Sequence, residues 1–328
     1  MEKHRRVMRL SAAVIVFALT LRLFGGGFFA AVQEDPWALS LLVLLQTGRV
    51  VRWYELSQPE TTPPTQSQPP QTTAPQPGLP VFSRQDLEAV SVSYGCDYRP
   101  DLQTLLLSPL SWDLTGEAPT VLILHTHATE GYTRQPGEDY EELYAYRTLD
   151  EAYNMVSIGA EVARVLEAGG IRVIHDRTLH DAASYNDSYS AARQTIQRHL
   201  AEHPSIQLVL DIHRDASDGT GGQLTTVGTV GGQRSAQLMV VVGTDAAGNH
   251  HPGWQQNLSL GLKLTALLEQ TDPGLTRPVN LRSQRFNMDL TAGSLLIEVG
   301  AAGNSHDEAV LAAGALARAI LVLARGSR

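Results

Sequence analysis

The sequence predicts an α/β domain with a mostly parallel sheet flanked by helices, preceded by a transmembrane helix and a disordered linker. Three observations carry this prediction. Strand-like apolar runs alternate with amphipathic helical stretches from about residue 81 onward. A basic-flanked apolar segment opens the chain, and a Pro/Gln/Thr-rich stretch separates it from the rest. Strands alternating with helices of this length bury their apolar faces best as helices laid over a largely parallel sheet.

The 328 residues, 43% of them apolar, suffice for one or two cores. The net charge of -9 argues against a general nucleic-acid surface, because phosphate binding needs clustered Lys and Arg. It leaves a membrane role open, since only charge close to the bilayer matters there. Cys96 is the sole cysteine, which excludes an internal disulfide and a cysteine-rich metal site. Any metal must therefore be held by histidine and carboxylate.

Taken in order, residues 1–35 place Lys3, Arg5, Arg6 and Arg9 ahead of an apolar run from Leu10 that only Arg22 interrupts. A spanning helix needs about 20 apolar residues, and the basic flank predicts a cytoplasmic N-terminus with the rest of the chain outside. An uncleaved anchor is favoured over a cleaved signal peptide, the competing reading. The expected location is thus the cell membrane, single-pass, with an extracytoplasmic domain. Residues 36–80 hold a second apolar stretch, too short to span, and then SQPETTPPTQSQPPQTTAPQPGLP, an extended tether without core-forming residues.

Residues 81–328 form the working domain. TVLILHTH reads as a buried strand. In DEAYNMVSIGAEVARVLEAGG, Ile158, Val162, Val165 and Leu166 recur at helical spacing, and Gly169 and Gly170 supply a stop. IRVIHD is a strand, YNDSYSAARQTIQRHLAEHP a helix ending before Pro204, and IQLVLDIHRDA the next strand. AQLMVVVGT, a helix from about Trp254 to Glu269, SLLIEVG and a last helix around residues 307–324 complete the chain. Asn304 or Ser305 is the expected N-cap of that last helix.

Open sheets of this kind bind ligands outside the carboxyl ends of their strands. One strand here ends at His125, His127 and Glu130; a second carries Asp211, His213, Arg214 and Asp215; a third carries Glu298. Zinc accepts imidazole and carboxylate ligands, and a catalytic zinc keeps one position for water. His125 and His127 sit two apart, so on an extended strand they share a face, and periodicity does not choose between them. Glu298 among SLLIEVG is costly to bury unless it is paired, metal-bound or protonated. Its alternative is a structural salt bridge to Arg214 or Arg285. Arg214, Arg285 or His125 are candidate stabilisers of an oxyanion, and Asn287 and Asp289 are candidates for orienting those groups or reading substrate. Plain ion pairing with Asp215, Asp289 or Glu298 is the alternative for both arginines.

HTHATEGY, HDAASYNDSYSAAR, DIHRDA and RSQRFNMDLTAGSLLIEVGAAGNSHDEA together resemble the stage II sporulation protein P family, over residues 120–323. The resemblance implies an amidase-like fold related to the zinc-dependent N-acetylmuramoyl-L-alanine amidases. It implies a cofactor, Zn2+, and a peptidoglycan substrate, cut between glycan and stem peptide and also at peptide cross-links during engulfment of the forespore. It implies as partner a stage II sporulation protein D-like lytic transglycosylase, and a septal or engulfing membrane as the location. By the family pattern His127 and His213 are metal ligands and Glu298 is the general base. The third ligand is Glu130 or Asp150, with Glu130 preferred and His125 left as a neighbouring or substrate contact. The competing functions are a catalytically dead wall-binding module and a zinc hydrolase of another amide.

Overall fold

The computed structural model describes residues 80–216 and 223–326. The expected membrane segment and all but the last residue of the expected linker lie outside the described residues. Among the described residues no helix is long and apolar enough to cross a membrane.

In chain order come helix α1 (Arg84–Glu88), strand β1 (Val92–Gly95), helix α2 (Leu102–Leu107), strand β2 (Val121–Leu124), helix α3 (Met155–Ala168) and strand β3 (Val173–His175). Next are α4 (Ser188–Glu202), β4 (Leu208–Asp215), the hairpin strands β5 (Val227–Val230) and β6 (Gln233–Ala236), and β7 (Leu238–Gly243). Helix α5 (Trp254–Thr271), β8 (Val279–Arg282), β9 (Ser294–Ala301) and α6 (His306–Leu323) follow. Seven strands make one sheet in the order β1-β8-β7-β9-β4-β2-β3, and β5 pairs with β6 apart from it.

The sheet is mostly parallel, as expected, with one reversal: β7 runs antiparallel to β9. Apolar runs report burial and not strand direction, so nothing in AQLMVVVGT marked the reversal. The short β1, β8 and the β5–β6 hairpin were likewise not anticipated. Each has only four residues, alternating in burial in β1, β5 and β8 but not in β6, too few to stand out.

Alternation along the central strands sorts side chains onto two faces. Val121, Ile123, Leu208, Leu210, Ile212, Leu295 and Ile297 share one core with Ile158 and Val162 of α3, Leu258 of α5 and Leu316 of α6. On the opposite face Leu122, Leu124 and Val209 pack against Ala192 and Ile196 of α4. Leu296, Met239 and Val241 there meet Met288, in a short turn of 3-10 helix before β9. Strand β4 is buried nearly throughout, the signature of a strand covered on both sides. α6 starts at Ser305, whose side chain accepts from Glu308 N in a capping box, so of the two expected caps Ser305 serves.

Candidate functional site

The three polar strand ends belong to adjacent strands, β9, β4 and β2. Alternation assigns Ile212 and Ile297 to the α3/α6 face, which leaves Asp211, His213 and Glu298 on the α4 face. His213 and Glu298 are register partners across β4 and β9. The His127 ring stands edge-on to the His213 ring at 5.3 Å between centroids.

His125 departs from the expectation of a shared face with His127. β2 ends at Leu124, and a turn over residues 126–129 replaces extended backbone. His125 keeps the parity of the strand and points to α3, with Nδ1 3.0 Å from Ile212 O and Nε2 2.9 Å from His175 Nε2. The turn carries His127 to the α4 face. His125 is fully buried, so it is a structural group and not a substrate contact. Burial and the neighbouring His175 ring lower its pKa to about 3. This packing depends on Gly159 of α3, where a Cβ would fall 2.6 Å from His125 and 2.7 Å from His175. Gly159→Ala is therefore expected to lower the thermal midpoint. Overpacking costs about 1–3 kcal/mol, against a helix-propensity gain of about 1 kcal/mol. A midpoint equal to or above the parent's would show that the two rings yield freely.

Glu130 is buried beside the histidines, with Oε2 3.8 Å from His213 Nδ1. Two guanidiniums hold its other oxygen: Arg147 at 2.9 Å and Arg214 at 3.5 Å. Arg147 also reaches Asp181 at 2.5 Å, and Asp181 accepts from Thr129 N and Thr129 Oγ1. Arg214 donates to Gly131 O and Tyr146 O, so its donors are spent inside the protein. It is a structural clamp on Glu130, rather than a partner of Asp215 or Glu298; Asp215 pairs with Arg277. Asp150 is exposed in a turn, accepting from Ala152 N, and does not join the cluster.

His213 Nε2 lies 2.9 Å from Asp211 Oδ1, an ion-pair contact whose direction makes no hydrogen bond. Asp211 is fixed by Thr126 N at 2.8 Å and Thr126 Oγ1 at 2.6 Å. Burial disfavours the imidazolium of His213, but Asp211, Glu130 and Glu298 more than offset it and raise the pKa to about 9. Glu298 shows the reverse balance. Burial pushes its carboxyl up to about 8, and the charge of His213 recovers only part of the cost. Glu298 Oε2 is buried without a hydrogen-bond partner, and no salt bridge to Glu298 occurs among the described residues.

Aromatic rings wall the site. Tyr185 stacks on His127 at 4.4 Å with planes 5° apart, and the Arg147 guanidinium sits 5.0 Å from the Tyr185 ring centre. Tyr189 lies near-parallel to His213 at 6.4 Å and edge-on to His127 at 5.5 Å. Ser188 Oγ is 3.3 Å from His127 Nδ1. Asn287, in the left-handed region at φ 61°, donates to Tyr189 O at 2.8 Å and so positions this wall rather than facing solvent. Arg285 pairs with Asp289 at 3.5 Å, and Asp289 also takes a two-point contact from Arg193. Arg147, Asp181, Tyr185 and Tyr189 were not expected from the sequence. Three of the four fall in HDAASYNDSYSAAR, the block whose family pattern was the available signal.

The donor set fits a catalytic zinc in kind: two imidazoles, one carboxylate and a further carboxylate nearby. Glu298 Oε2 is a buried polar atom without a hydrogen-bond partner, placed to meet a ligand or to hold a proton. Asp211 behind His213 supplies the carboxylate that orients a ligating histidine. His127, Glu130 and His213 do not close to the 4.8 Å mutual spacing that another group, His199, Glu202 and His203, attains among the described residues.

A family model for stage II sporulation protein P (SpoIIP) matches residues 55–321. Stage II sporulation protein P of Bacillus subtilis (strain 168) is 28% identical over 215 residues, covering 62% of this chain and 50% of that protein. The chain thus spans about half the length of the curated relative it matches. Among solved structures, N-acetylmuramoyl-L-alanine amidase AmiC2 of Nostoc punctiforme aligns at 14% identity and TM-score 0.37, over 63% of this chain and 97% of that one. The CwlD amidase of Clostridioides difficile, in complex with the GerS lipoprotein, aligns at 15% identity and TM-score 0.38, over 61% and 96%.

Proposed function

The chain belongs to the stage II sporulation protein P family, and from that premise we propose a zinc-dependent peptidoglycan hydrolase acting in forespore engulfment. It cleaves the amide between muramic acid and the stem peptide, and also peptide cross-links. The observation that carries this reading is the buried, unpaired carboxyl of Glu298 in register with His213, with His127 edge-on to the same ring.

His127, His213 and Glu130 would hold the ion; the burial of Glu130 beside His213, against the exposed turn of Asp150, supports that choice. Bound zinc supplies Lewis acidity and lowers the pKa of water toward about 7. Glu298 as carboxylate accepts a proton from the attacking water and returns it to the leaving amine. Asp211 keeps His213 oriented, and the Arg147–Arg214 pair holds the Glu130 carboxylate in place within the protein interior. Tyr185 and Tyr189 offer flat faces on which a sugar or peptide bond can rest. An N-terminal membrane anchor and a stage II sporulation protein D-like partner belong to the same proposal, on the sequence pattern of residues 1–80 and on the family.

Purified sacculi incubated with the full-length chain test it. Release of free stem peptides, abolished by a chelator and restored by zinc, is expected, together with conversion of cross-linked dimers to monomers. Binding to sacculi without release of any fragment would instead favour the wall-binding module, and release indifferent to chelator would remove the metal.

A further inference from the structure

Helix α4 begins at the strand-end site, where Ser188 and Tyr189 face His127 and His213. At 1.5 Å per residue it ends about 20 Å away. Its last turn carries His199, Glu202 and, at the C-cap, His203. Spacings of three and four residues bring these to one side of the helix. One ligand atom from each lies within 4.8 Å of the others.

His199 is only 8% exposed. Its Nε2 sits 2.8 Å from Asp176 Oδ2, just beyond the end of β3. Asp176 is itself held in place, accepting from Thr178 N through Oδ1 at 3.0 Å. A carboxylate 2.8 Å away takes up Nε2, which leaves Nδ1 as the ring nitrogen open to a cation. Nδ1 is buried and has no hydrogen-bond partner. Arg198 contacts Asp176 at 3.2 Å and His199 Nε2 at 3.4 Å, on the side away from Nδ1. A buried ring nitrogen with no hydrogen-bond partner, on a histidine grouped with a second imidazole and a carboxylate, matches the donor chemistry of a zinc-class ion. The Asp176 contact behind it matches the carboxylate–histidine–zinc arrangement. The C-terminal end of a helix, with its partial negative charge, favours a cation there.

We propose that His199, Glu202 and His203 bind a divalent ion of the zinc class at a second site. Asp176 orients His199, and the ion pins the last turn of α4 to the exit of β3. The site is independent of the proposed catalytic ion, and its test separates the two. Metal-free full-length chain is titrated with zinc, and bound metal is counted by elemental analysis. Two ions per chain are expected for the parent, one for His203→Ala or His203→Gln, and one for the His127→Ala/His213→Ala pair. In that paired background, Asp176→Ala is expected to weaken the remaining site by about 10–100-fold. Zinc should also raise the thermal midpoint of the paired variant and fail to raise it once His203→Ala is added. A single ion that survives His203→Ala and His203→Gln but is lost with His213→Ala overturns the second site and leaves the catalytic reading intact. A single ion lost with His203→Ala yet kept in the paired variant supports the second site and removes the first.

Discussion

Glu298→Gln is expected to slow stem-peptide release by about 10²- to 10⁴-fold while the domain stays folded, because glutamine preserves the shape and cannot accept a proton. Peptide release from sacculi, read alongside circular dichroism, measures this. Retention of more than about a tenth of the parent rate, far above what general-base loss implies, would take proton transfer away from Glu298. The same substitution has a stability signature in chelator-treated protein. The folded carboxyl titrates near 8 because burial disfavours its charge, against 4.5 when free. Between those values the folded state holds a proton that the unfolded state has released. Stability therefore falls as pH rises from about 5 to 8, by at most about 1.4 kcal/mol per unit. The glutamine amide does not titrate, so the variant's stability should gain on the parent's across that window. Parallel denaturation curves at pH 5 and pH 8 would contradict the burial argument.

Arg147→Ala is expected to cost about 3–5 kcal/mol, since it strips the partner from two buried carboxylates at once. Arg214 remains near Glu130 at 3.5 Å, but Asp181 keeps only Thr129 as donor. Urea denaturation should show the loss as a lower midpoint with an unchanged slope. Combining Arg147→Ala with Asp181→Ala should cost less than the sum of the two, because the second change removes the stranded charge. Additive losses would mean that the two groups do not interact, despite their 2.5 Å contact. Zinc affinity should fall in Arg147→Ala as well, through a displaced Glu130.

The alternation of strands and helices was readable in the chain because burial leaves a periodic mark. TVLILHTH, IQLVLDIHRDA and SLLIEVG each contain a strand, with His213 and Glu298 in the C-terminal halves of β4 and β9 and His127 in the turn after β2. Periodicity failed where regular structure stopped. His125 and His127 were expected on one face, yet the strand closes at Leu124 and the following turn sends them to opposite sides of the sheet. Asp150, the alternative ligand, lies in an exposed turn, whereas Glu130 is buried beside His213. Arg214 was a candidate oxyanion stabiliser, with pairing to Asp215, Asp289 or Glu298 as the alternative, and it clamps Glu130 instead.

What the amino-acid order determined by itself was local: which segments extend, which coil, and which residue types stand where a strand runs out. Hydrophobic period and cap chemistry act between near neighbours, so they are legible without a fold. Only the tertiary structure decided that β9, β4 and β2 lie side by side and that β7 runs against β9. It alone decided that Arg147 reaches both Glu130 and Asp181. Those choices depend on which surfaces meet between segments far apart in the chain, and on the cost of leaving a buried charge alone. Neither is written in the spacing of any single segment.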